Sequence, residues 1–160
     1  MGFDFNADDV FVMAEQMEKN GAKFYRDAAA QIDDADKKTF LERLAAMEDE
    51  HEKTFVAMKA QLTAKDKTAT VFDPEDEAVL YLKALADTRV FFEKQIDLKS
   101  MEGILRAAIE AEKDSIVFYL GMKEAVPEKY GKEKLEYIIK EEMSHVRLLS
   151  NELSRLKRSA

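Results

Sequence analysis

The chain of 160 residues has no cysteine and no tryptophan, two prolines, five glycines and two histidines. The missing cysteines exclude disulfides, thiolate-bound zinc, iron–sulfur clusters and thiol redox chemistry, and fit a reducing cytoplasm, the localisation expected here. Glycine and proline punctuate turns, so their scarcity argues against a strand-rich or loop-rich architecture. No apolar run approaches the roughly 20 residues that span a bilayer, so no membrane is expected as a partner. Met1-Gly2-Phe3-Asp4-Phe5-Asn6 has neither the basic region nor the apolar core of a signal peptide. Acidic residues outnumber basic ones by 33 to 25, for a formal net charge of −8. That balance disfavours nucleic acid, which needs a cationic surface. The short basic stretch Arg155-Leu156-Lys157-Arg158 is more simply read as complementing a helix dipole.

What is present is helix-forming. Stretches rich in Ala, Glu, Lys, Leu and Met predict an all-α chain, and residues 1–160 suffice for one domain with a core of its own. A first helix is expected from about Ala7 to about Asp33, with Asn6 as N-cap and Asp8 and Asp9 in the first turn. A second follows a tight turn at Asp33-Asp34-Ala35-Asp36 and runs to about Ala64. A third starts near Asp97 or Ser100 and ends near Pro127, and a fourth begins after Gly131. Between the second and third lies a connector at about 65–97, with a turn at Phe72-Asp73-Pro74 and a short helix from Glu75 to about Asp87. Two short turns and one long connection predict a four-helix bundle of two helical hairpins joined by a long crossover.

The apolar seams of these helices are interrupted at matching places. The second helix reads Leu41, Leu44, Glu48, His51, Phe55, Met58, Leu62, and the fourth reads Leu135, Ile138, Glu142, His145, Leu149. Buried carboxylates and imidazoles are costly unless paired or metal-bound. In Glu48-x-x-His51 and Glu142-x-x-His145 the two side chains project from one helix face, a turn apart, and can hold one ion between them. Glu18 precedes Glu48 by 30 residues and Glu112 precedes Glu142 by 30, so the whole pattern recurs at an offset of 94. One Glu from each of two helices plus Glu-x-x-His from each of the other two is a ligand pattern already described for di-iron and di-manganese carboxylate bundles.

Six metal ligands are therefore expected: Glu18, Glu48, His51, Glu112, Glu142 and His145. Glu48 and Glu142 are the expected bridges because they share helices with the histidines; Glu18 and Glu112 are then terminal. Mixed carboxylate and imidazole ligation suits two non-haem iron ions, with manganese the other candidate. Four carboxylates in one seam should raise one another's pKa, while the histidines oppose any acid stabilisation if they charge while buried. Tyr25 and Tyr119 follow Glu18 and Glu112 by two helical turns and are expected to hydrogen-bond ligand carboxylates on neighbouring helices; the alternative is a pair of core aromatics. Gly21 and Ser115, three residues after Glu18 and Glu112, leave room beside the metals. Glu15, Glu50, Glu52, Glu110 and Glu141 fall off the seams and read as a solvated face.

Glu18-Lys19-Asn20-Gly21 with Phe24-Tyr25, Glu112-Lys113-Asp114-Ser115 with Phe118-Tyr119, and the two Glu-x-x-His pairs together resemble the rubrerythrin branch of the ferritin-like superfamily, over about residues 7–158. The resemblance implies a ferritin-like bundle whose di-iron site reduces hydrogen peroxide or oxidises ferrous iron. Two departures stand out. The cysteine-ligated rubredoxin domain of such proteins is missing, so electrons must come from an external donor such as a rubredoxin-type protein. The extra glutamate that the branch places three residues after the third-helix ligand is Ser115 here, which brings the site closer to a bacterioferritin-type ferroxidase centre. The expected partners are peroxide or dioxygen, that donor, and a second copy of the chain in a homodimer or larger homo-oligomer, with Val90-Phe91-Phe92 as a candidate exposed run. The competing functions are peroxide reduction, iron oxidation and storage, and a non-catalytic metal-binding adaptor.

Overall fold

The computed structural model describes residues 7–62, 77–88, 99–126 and 131–159. Within them lie five helices: α1 (Ala7–Ala30), α2 (Ala35–Ala60), α3 (Glu77–Thr88), α4 (Met101–Ala125) and α5 (Lys132–Arg158). The expected N-cap Asn6, the turn at Phe72-Asp73-Pro74, the run Val90-Phe91-Phe92, and the third-helix bounds Asp97 and Pro127 lie outside the described residues. None of the described helices is long and apolar enough to cross a membrane.

Local chemistry sets the helix ends. α1 stops three residues short of the expected Asp33, closing on short bonds from Gln31 N to the Ala28 carbonyl (3.0 Å) and Ile32 N to the Ala29 carbonyl (3.3 Å). The reason is competition from Asp34. Its carboxylate accepts from Asp36 N (3.0 Å) and Lys37 N (3.1 Å), which caps α2 and starts it inside the acidic turn. Ser100 does the same for α4, accepting from Gly103 N at 3.0 Å. Gly131 precedes α5 with φ 98°, a left-handed conformation that glycine adopts without steric cost.

α1 packs on α2 and α4 on α5, giving the two hairpins, which meet through α1 against α4 and α2 against α5. The crossover helix α3 lies against α4. Tyr81 donates to the Val117 carbonyl at 2.9 Å, and Gly121 makes room for the ring, since a Cβ there would come within 2.6 Å of it. The core has two parts. Phe11, Phe55, Phe118, Met122, Leu135 and Ile138 belong to one apolar cluster; Leu41, Leu44, Ile104, Leu105 and Leu149 belong to the other. On each of the four long helices the order along the chain places the same thing between the two clusters: a layer of buried ionisable residues.

Candidate metal centre

That layer consists of Glu18 from α1, Glu48 and His51 from α2, Glu112 from α4, and Glu142 and His145 from α5, each no more than 5 % exposed. Their positions follow from helix geometry. Each residue takes a seam position between apolar neighbours, so the packing that buries the seam carries it inward. The ligand-type atoms form two sets, each lying within 4.8 Å: Glu18, Glu48, His51 and Glu142, and Glu48, Glu112, Glu142 and His145. Glu48 and Glu142 belong to both. Each imidazole turns Nδ1 into the layer. His51 Nδ1 lies 3.1 Å from Glu142 and 3.4 Å from Glu18; His145 Nδ1 lies 3.1, 3.2 and 3.3 Å from Glu48, Glu142 and Glu112. The two rings are stacked, 5.8 Å apart and 20° from parallel.

Burial and mutual repulsion hold the Glu48 and Glu142 carboxyls well above the usual range, with Glu112 and Glu18 among the repelling charges. Burial acts on Glu112 in the same sense, but hydrogen bonds from Glu142, His145 and Tyr25 outweigh it and hold that carboxyl low. The histidines depart from expectation. Burial alone would lower them, yet the surrounding carboxylates win: Glu18, Glu48 and Glu141 push His51 up to about 9, and Glu112, Glu142 and Glu48 raise His145 as well. Without a metal, therefore, the surrounding carboxylates favour the protonated form of each ring.

The two tyrosines sit one layer out, both buried. Tyr25 on α1 donates to Glu112 on α4, and Tyr119 on α4 donates to Glu18 on α1. The repeat in the sequence thus becomes a reciprocal pair of bonds across the hairpin interface.

Several atoms of the layer have no hydrogen-bond partner among the described residues: Glu18 Oε2, Glu48 Oε1, Glu142 Oε2 and His145 Nε2. The three carboxylate oxygens each lie 3.1–3.4 Å from an imidazole Nδ1 without a well-formed hydrogen bond to it, and a buried polar group such as His145 Nε2 left without a partner costs roughly 1–3 kcal/mol. The residues fit a pair of divalent cations. Anionic oxygens and imidazole nitrogens converge in the right number, and two carboxylates are shared between the sets.

A crystal structure from Thermotoga maritima, described as that of a candidate ferritin-like diiron-carboxylate protein, superposes with a TM-score of 0.69 over 96% of this chain and 98% of that one, at 21% sequence identity. The chain has the ferritin-like fold. No family model and no curated protein matches the sequence. The likeness reaches the ferritin-like level and not the narrower rubrerythrin branch.

Of the acids expected on a solvated face of this ferritin-like bundle, one is buried and a second, partly exposed, engages a layer residue. Glu15 is 8% exposed and pairs with Lys59 of α2 at 2.9 Å. Glu141 accepts a hydrogen bond from His51 Nε2, on the ring edge opposite Nδ1. Neither falls on a seam, so the apolar period carried no signal of either. Glu141 is found only once α5 is known to pack beside α2. Of the two small residues, Gly21 meets the expectation most directly: a Cβ there would lie 2.8 Å from Glu48 Oε2. Ser115 instead turns its hydroxyl back to the Ala111 carbonyl, 3.1 Å away.

Proposed function

We propose that the chain is a non-haem di-iron carboxylate oxidoreductase that reduces hydrogen peroxide with electrons from a separate donor, a small rubredoxin-type redox protein being the suitable class. The observation that carries this is the pair of buried sets sharing Glu48 and Glu142. Glu18, Glu48, His51 and Glu142 would hold one ion; Glu48, Glu112, Glu142 and His145 would hold the other, with manganese the alternative metal. Two ferrous ions held there would supply one electron each, enough with two protons to balance the reduction of hydrogen peroxide to two waters. Tyr25 and Tyr119 fix the terminal carboxylates by donating to them, so those ligands need no reorganisation when charge changes beside them. The two apolar clusters exclude bulk water from above and below the layer. With no cysteine in the sequence, the chain carries no thiolate-bound relay of its own.

A second function, ferrous oxidation as a step in iron handling, is favoured by one observation. Ser115 stands where the peroxide-reducing branch has a further glutamate, and its hydroxyl is engaged with its own helix. The experiment that separates the two is anaerobic reconstitution with ferrous iron, followed by stopped-flow mixing with peroxide and with dioxygen in parallel. Faster oxidation by peroxide supports the first. Faster oxidation by dioxygen with formation of mineral supports the second. Metal binding without oxidation by either leaves a non-catalytic, metal-stabilised bundle.

A further inference from the structure

The two halves of the layer are related by the 94-residue repeat, but their surroundings differ. A cavity of about 880 Å³ lies between α2 and α5, and of the six layer residues only His51 lines it. Met47, Thr54, Tyr137 and Glu141 line it too, and Tyr137 is 62% exposed, so the cavity reaches solvent. Tyr137 stands one helical turn before Glu141 on α5 and interacts with its carboxyl, and that carboxylate accepts from His51 Nε2. A chain of three side chains therefore runs from the surface to one edge of the layer. His145 has no such support. Its side chain is fully buried, it does not line the cavity, and its Nε2 has no partner among the described residues. The repeat explains why: the position equivalent to Glu141 is Met47, which carries no carboxylate.

We infer that the two metal positions are not equivalent. The position built on His51 exchanges its ion with solvent through the α2–α5 cavity, with Glu141 as the positioning residue that keeps His51 Nδ1 turned inward, while the position built on His145 is closed. An Nε2–H donated to a carboxylate fixes the tautomer and ring orientation of a ligating histidine. An ion leaving along His51 also meets an open cavity; one leaving along His145 meets packed core. The inference rests on the di-metal assignment above.

The test uses the intact chain loaded with Co²⁺, whose visible absorption reports its ligands, and follows release into excess chelator. Wild type should lose its cobalt in two phases of equal amplitude. Glu141→Ala should accelerate the fast phase alone, by about 10–100-fold, the usual size of an outer-partner effect. Glu141→Gln keeps an acceptor oxygen and should stay near wild type. Thr54→Trp, which fills the cavity, should slow the fast phase. Helical circular dichroism confirms that each variant is folded. Two cobalt ions released in a single phase, or in two phases that ignore both Glu141→Ala and Thr54→Trp, would overturn the inference and leave the di-metal assignment intact. Fewer than two cobalt ions bound by wild type would overturn that assignment and the inference with it.

Discussion

Tyr119 donates its hydroxyl hydrogen bond to Glu18, from one hairpin to the other, and Tyr25 returns the same bond to Glu112. Both phenols are raised well above their ordinary value of 10.0 by burial and by the carboxylates around them, so they stay protonated and remain donors at any working pH. Tyr119→Phe and Tyr25→Phe each leave one buried carboxylate oxygen without its donor. The expected cost to the apo protein is about 1–3 kcal/mol, and the expected loss of metal affinity about 10–100-fold. Denaturation of the apo form and chelator competition measure the two separately. A stability loss with unchanged affinity would reduce both tyrosines to core aromatics.

Glu48 and Glu142 are the two carboxylates within reach of both sets, while Glu18 and Glu112 each belong to one. Replacing Glu48 or Glu142 by Ala should therefore empty both positions, and replacing Glu18 or Glu112 should empty chiefly one. Elemental analysis of protein purified from iron-replete cells checks this. Equal metal loss from all four variants would mean that the shared pair does not bridge.

The layer was legible in the sequence because its residues break apolar seams at a fixed repeat. Glu48 and His51 stand between Leu44 and Phe55 in a run that is otherwise hydrophobic, and burial of that run brings them inside whatever the neighbouring helix is. The hairpin pairing was legible for a related reason: one connection is much longer than the others. Residues whose role depends on a neighbour's identity were not legible. Glu141 looks like any exposed acid on α5 until α2 is placed beside it, and Glu15 looks the same until Lys59 is. The apolar period carries α1 too far because it cannot reveal that the Asp34 side chain takes over backbone donors there and starts a new helix.

Gly21 sets two effects of opposite sign against each other. Alanine in place of a mid-helix glycine favours the helix by about 1 kcal/mol. The added Cβ, however, would sit 2.8 Å from Glu48 Oε2, so the carboxylate must swing away from its place in the layer. Gly21→Ala should leave the apo melting temperature unchanged or slightly raised while weakening metal binding. Thermal melting of the apo form and metal titration give the two halves of the result. Full retention of metal affinity would show that the Glu48 carboxylate has room to spare.

The apo protein should be most stable in mild acid, and the sign follows group by group. Glu48 and Glu142 have folded values above the ordinary 4.5, so the native state holds protons more tightly than the unfolded chain and stability falls as pH rises above that value. His51 is raised from 6.5 to about 9 by Glu18 of α1, Glu48 of its own helix and Glu141 of α5, and it adds in the same sense. Its contribution is complete below 6.5 and disappears as pH rises through about 9. Glu112 opposes them, since its lowered value gives stability that is lost only as the solution becomes strongly acid. Metal ligation needs ionised carboxylates and neutral imidazoles, so binding must expel these protons and grow stronger with pH. A metal that binds only the folded state raises the melting temperature by mass action. The gap between metal-loaded and apo melting temperatures should therefore widen steadily from about pH 5 to about pH 9, because the apo curve falls while ligation tightens. Parallel melts across that range decide it: a gap that stays constant or closes with rising pH would show that the layer does not exchange protons for metal.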